Sequence, residues 1–183
     1  MKLGFDLQRF AINQVRDRLE GYEVFVEGTR KLGTADVTLP ELKYKTETLS
    51  GAGIGGDIEM GTPGQTESME LGLTWRTINE DGVSLMAMQS HDLELRGANQ
   101  HYDAGTGKFI RHTVKINVRG IPKSGNLGKF EMASRSDMET TLEVLYLKIT
   151  MDGKKMVEID KLNYIHYIDG VDYLEGLRQA LGL

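Results

Sequence analysis

Residues 145–160 read LYLKITMDGKKMVEID, and the pattern within them decides the fold class. Leu145, Leu147, Ile149 and Met151 alternate with Tyr146, Lys148 and Thr150, a period of two that sets the apolar side chains on one face of a β-strand. Asp152-Gly153 follows, a pair suited to the positive φ angles of a two-residue hairpin turn, and residues 155–160 return as the partner strand. The alternation breaks across 142–145, where a bulge or a change of sheet is expected.

The same signal recurs upstream. Ile110, Val114, Ile116 and Val118 alternate with Arg111, Thr113, Lys115, Asn117 and Arg119, and the turn at 103–107 joins them to a strand opened by Leu93 and Leu95. Met69, Leu71, Leu73 and Trp75 share one face of another strand, with Glu70, Thr74 and Arg76 on the other. Strands are also expected at 22–27, at 31–39 before Pro40, and at 163–168; the turn-rich stretch 122–129 reads as a loop. Two helices interrupt the series. Asn79, Glu80 and Asp81 supply capping oxygens for one carrying Val83, Met86 and Ala87, and Asp169 is expected to cap a second that presents Val171, Leu174, Leu177 and Leu181.

Twenty-two glycines against three prolines among 183 residues suit many tight turns. The fold class expected is mainly β, an antiparallel β-sandwich or partly closed barrel with one central and one C-terminal helix. One domain is expected over 21–183, preceded by an N-terminal arm at 1–20. Within the domain, 41–67 forms a polar stretch too long for an ordinary connection. Long sheet edges without proline guards invite pairing with another copy.

Charge and composition exclude several function classes. Twenty-two Lys+Arg against 27 Asp+Glu give a net charge of −5, which argues against wrapping nucleic acid by phosphate neutralisation. There is no cysteine, hence no disulfide framework, thiolate metal site or thiol nucleophile. Residues 1–21 hold no apolar run of signal-peptide length, and no segment approaches a membrane span, so assembly in the cytoplasm is expected.

The candidate chemical motifs are weak. Gly51-Ala-Gly53-Ile-Gly55-Gly56 satisfies GxGxxG, but polar KTETLS precedes it and no helix signal follows, so a flexible hairpin tip or stacking loop is the better reading and no cofactor is expected. His91, His101, His112 and His166 show no i,i+4 pair; His101-Tyr-Asp103 is the only metal-like spacing, and no metal site is expected. Ser90-His91-Asp92 are adjacent without a nucleophile elbow. Glu158 and Asp160 share a strand face, as a glycosidase pair would, yet aromatics at 7% are sparse for a carbohydrate cleft. Arg111, Lys115 and Arg119 form a basic face expected to meet acids of a neighbouring copy.

Residues 37–60 (VTLPELKYKTETLSGAGIGGDIEM), 67–75 (ESMELGLTW) and above all 146–183 (YLKITMDGKKMVEIDKLNYIHYIDGVDYLEGLRQALGL) resemble the major tail tube protein family of contractile-tailed phages, which R-type bacteriocin tubes also resemble. The resemblance implies a structural subunit and no enzyme. It implies homo-hexameric rings closed by an inner β-barrel and stacked into a conduit, with 41–67 as a stacking element. A sheath would surround the conduit, baseplate or initiator and terminator proteins would bound it, and DNA would pass through the lumen of a virion tail. Inter-ring and inter-subunit contacts are then expected at Lys43, Tyr44, Leu49, Gly51, Gly53, Ile54, Arg111, Lys115, Arg119, Leu174 and Leu177. A type VI secretion-like tube and, from another class, a β-sandwich carbohydrate-active hydrolase are the alternatives.

Overall fold

The computed structural model describes residues 14–33, 35–51 and 53–183. The first thirteen residues of the arm expected at 1–20 therefore lie outside the described residues. The rest of that arm is strand: β1 spans Gln14–Val26 and pairs along its length with β7 (His91–Asp103). Cross-strand bonding to β7 overrides the irregular polarity of residues 14–21, and two register shifts, at Arg16/Arg18 and Leu19/Gly21, absorb the irregularity.

The frame is a ribbon of two long strands, β8 (Lys108–Asn126) and β9 (Met138–Met151). β8 continues through Pro122, where a loop was expected from sequence. β7 begins at His91 opposite Gly120, so past that point β8 has no described strand on that side, and a register shift between Pro122 and Ser124 takes up the irregularity beside the proline. The break foreseen near 142–145 is a bulge at Leu145, because Arg119 faces Tyr146 while Gly120 faces Val144. β9 changes partner there. Its first half pairs with β6 (Glu70–Trp75), which carries β3 (Ala35–Thr38). Its second half pairs with β10 (Lys154–Asp160), followed by β11 (Ile165–Ile168) and β12 (Val171–Asp172). The short β2 (Arg30–Lys31) meets the end of β1.

All of these pairings are antiparallel, and the bend at the bulge lays β3 and β6 over the inner face of the larger sheet, a partly closed barrel with one core. Met69, Leu71 and Trp75 are fully buried at 0% exposure, packed beside Leu142 of β9 and against Val24, Leu93, Val118 and Ile159 from the facing layer. Asp152 and Gly153 adopt φ of 48° and 81°, the left-handed pair that a type I′ hairpin needs.

Both helices differ from their expected extents. α1 is only Glu80–Ser84, capped by Asn79 Oδ1 on the Gly82 N–H at 2.7 Å, and Val83 is exposed while Leu85 just beyond is buried. Asp169 caps nothing: with Gly170 it turns β11 into β12, and α2 starts later, at Glu175–Leu181. A seven-residue helix is marginal alone, and of its expected apolar stripe only Leu174, at its N-cap, is buried.

Candidate functional site

Residues 41–67 are not an irregular loop. They contain a two-stranded arm, β4 (Tyr44–Leu49) and β5 (Ile58–Thr66), separate from the main sheet. Leu49 faces Ile58 and Glu47 faces Met60 across the pair, so these four side chains share one face, and Thr48 opposite Glu59 lies on the other. Leu49, Ile58 and Met60 are 41%, 49% and 55% exposed. Ile54 is exposed at the tip, where its N–H donates to the Gly51 carbonyl at 3.1 Å and Gly53 takes a φ of 95° that other residues adopt only under strain. The GxGxxG match is this hairpin tip. An isolated hairpin is marginal in water and gains stability by packing on something else.

Its root is firmly held. The Glu67 N–H donates to the Lys43 carbonyl at 2.9 Å, Lys161 Nζ donates to the Glu67 carbonyl at 3.1 Å, and Lys43 pairs with Glu41 at 3.0 Å. The Tyr44 ring meets buried His166 edge-on at 5.6 Å. Leu174 fills the space beside Gly64, where a Cβ would lie 2.4 Å from it, and Gly64 also sits at a φ of 72°, so only glycine passes here. Leu177 lines the same recess but is 44% exposed. Beneath, Asp172 accepts from Arg178 Nη2 at 2.7 Å and from the N–H groups of Leu174 and His166 at 3.1 and 3.3 Å. Burial disfavours the Asp172 carboxylate, but Arg178 and the two N–H groups outweigh it and hold the group below its ordinary value. Burial pushes His166 below its ordinary value, against a smaller upward pull from Asp172.

Lys43, Tyr44, Leu174 and Leu177 thus meet at the arm root, with Leu49, Gly51, Gly53 and Ile54 along the arm. Arg111, Lys115 and Arg119 stand elsewhere, on the outer face of the main sheet. There each finds a carboxylate of its own chain. The bulge at Leu19/Gly21 sets Glu20 against Arg111, with bonds of 2.6 and 2.8 Å. Arg119 grips Asp92 at 2.6 and 3.1 Å, and Lys115 lies 3.3 Å from Glu94. Farther along, Glu158 accepts from Tyr146 at 2.8 Å and Lys155 at 2.7 Å. Burial would raise Glu158, but these donors hold it below its ordinary value, while burial and then Glu158 push the Tyr146 hydroxyl up to about 12. Asp160, the other member of the supposed acid pair, accepts from the N–H groups of Leu162 and Asn163 in the following turn.

The remaining motifs dissolve the same way. His91 bonds the Ala87 carbonyl at 3.0 Å while Asp92 turns to Arg119 on the opposite face. His101 stacks on His112 at 4.2 Å, and Asp103 caps the Gly105 N–H at 2.9 Å. Sequence reasoning named His166 only to set aside a metal role and missed Gly64, Asp172 and Arg178; their roles come from contacts across the arm root that no spacing announces.

The profile of phage tail tube protein FII matches residues 16–182. The chain is 31% identical over 176 residues to the tail tube protein of Escherichia phage P2, covering 91% of this chain and 97% of that one. It is 24% identical over 168 residues to the major tail tube protein of Serratia phage KSP20, covering 91% and 96%. Its fold is shared, with a TM-score of 0.51, 17% identity and coverage of 74% and 97%, by a chain of the sheath/tube terminator of an extracellular contractile injection system. The chain belongs to the phage tail tube protein FII family, whose members are structural components of the tail and not enzymes.

Proposed function

We propose that six copies close into a ring, that rings stack into the hollow conduit of a contractile tail, and that the arm Tyr44–Thr66 is the element that joins one ring to the next. The carrying observation is the arm itself: a hairpin outside the main sheet, fixed at its root and exposing Leu49, Ile58 and Met60 beside Glu47 on one face. Such a face is stabilised by burial on a neighbour. A sheath surrounds the conduit, and baseplate and terminator proteins bound its ends. The outer face of β7–β10 suits a conduit wall because Arg111, Lys115, Arg119 and Lys155 are each matched by a carboxylate of their own chain. DNA sliding past meets few free cations and gains little by counterion release. Subunits assemble in the host cytoplasm and end in the virion tail. Removing residues 43–65 tests the reading: the shortened protein is expected to keep its thermal unfolding transition and to form no tubes. Normal tubes from it would refute the role of the arm.

A further inference from the structure

We propose that the Asp169–Gly170 linkage, alone of the three Asp-Gly linkages in this chain, isomerises spontaneously to isoaspartate in the folded subunit. The chemistry needs no enzyme and no oxidant. The Gly170 amide nitrogen attacks Asp169 Cγ, and a carboxyl oxygen leaves as water with the amide proton, closing a succinimide ring. Water then adds to either ring carbonyl and breaks its bond to nitrogen. Where the main-chain carbonyl is the one released, the chain afterwards runs through the Asp169 side chain and is longer by one methylene. Glycine favours the closure because it has no Cβ to obstruct the approach, and the chain has no Asn-Gly pair to compete.

Ring closure requires a carboxyl group free to rotate onto the next amide nitrogen, and the three sites differ in that freedom. Asp81 accepts from Arg30 and from the Gly33 N–H at 2.9 Å, while the Gly82 N–H donates to Asn79 Oδ1 at 2.7 Å. Asp152 accepts from the Thr113 N–H at 2.8 Å and Oγ1 at 3.3 Å, and it bonds His112 Nδ1 as well. His112 and then the Thr113 N–H hold its carboxyl below the ordinary value, which favours the anion, the poorer electrophile. Asp169 has none of these restraints. Its side chain is 70% exposed, and its ion-pair partner among the described residues is Lys154, at 3.7 Å. Among the described residues the Gly170 N–H donates to no acceptor, and a Cβ on Gly170 would touch nothing. The backbone is left-handed at both turns, with φ of 48° and 81° at 152–153 and of 43° and 97° at 169–170, so the side-chain surroundings make the difference.

The consequence falls on the arm root. The added methylene enters a two-residue turn whose ends are in register, Ile168 opposite Val171 and Tyr167 opposite Asp172. A longer turn disturbs that pairing. It carries Asp172 away from the N–H groups of His166 and Leu174 and from Arg178, the contacts beneath the arm.

Isotope labelling tests the proposal. Purified wild-type protein is held in mildly acidic buffer made with heavy-oxygen water, one sample native and one in urea, until the urea sample labels, and both are then digested with trypsin in ordinary water. Every ring opening leaves one heavy oxygen, and the three sites fall in separate peptides, 77–96, 149–154 and 162–178. In urea all three are expected to label. Native protein is expected to carry about tenfold more label in 162–178, located at Asp169 by fragmentation, than in either other peptide, because Asp81 and Asp152 react only after local opening. Equal native labelling of 149–154 and 162–178 overturns the proposal, and so does native protein in which 162–178 stays unlabelled. Asp169→Glu keeps the charge but enlarges the ring to be closed, and it is expected to abolish the label. Isomerised chains, separated by chromatography, are expected to exchange the His166 and Leu174 amide protons faster than unmodified chains; equal rates contradict the loosened root.

Discussion

Trp75 is the side chain around which the two layers meet. Its indole Nε1 donates to Thr140 Oγ1 at 3.4 Å, and Thr140 in turn donates to the Gly82 carbonyl at 3.4 Å, so the one polar atom of the ring is satisfied in the core. Gly82 is small for a reason: a Cβ there would lie 2.9 Å from Met138 Cε and 3.0 Å from the indole nitrogen. Trp75→Ala is therefore expected to cost about 3–5 kcal/mol, and Gly82→Ala about 1–3 kcal/mol by overpacking, both read from urea unfolding midpoints. A loss under 1 kcal/mol for Trp75→Ala would contradict this packing. Arg111 and Lys115 belong to a different regime, because both are well exposed and their ion pairs are screened. Reversing both charges is expected to leave the melting temperature almost unchanged while altering the salt dependence of assembly, measured by sedimentation at two ionic strengths. Loss of the folded monomer would place these residues in its stability instead.

At the scale of elements, the arm root carries a pH dependence. His166 is buried and its folded value lies below its ordinary 6.5, so the folded state disfavours the charged ring. The stability tied to the neutral ring is present above about 6.5 and is lost as pH falls from there toward the lowered folded value. Hydrogen exchange at the amides of β4 and β5 is expected to quicken between pH 7 and 5 more than at β8, after correction for intrinsic rates, and His166→Gln to flatten that difference. Equal changes in both elements would dissociate His166 from the arm. The strands were legible in the sequence where one face is buried: 69–75, 110–118 and 145–151 alternate because one side meets the core, and Asp152-Gly153 signals its turn by backbone chemistry alone. Elements whose limits depend on distant partners were not. Residues 14–21 are strand because β7 lies alongside, β8 runs through Pro122 because β7 has already ended, and α1 stops at Ser84 because Leu85 turns into the core. Of the arm, only the tip at 51–56 was legible as a hairpin; its strands were not, since beyond the root neither face is buried and their polarity reads as a loop.

For the whole molecule, one bent sheet does two tasks. Its inner face makes the core, and on its outer face Arg111, Arg119 and Lys155 each pair with a carboxylate of the same chain. The charged face was visible in the sequence as Arg111, Lys115 and Arg119, but the identity of their carboxylates was not, because Glu20, Asp92 and Glu94 reach them only through strand register. Polymerisation of the chain through its own surfaces is read out by electron microscopy of the purified wild-type protein over a concentration series. Rings and hollow tubes that lengthen with concentration are the expected result; dispersed single particles at every concentration would contradict it.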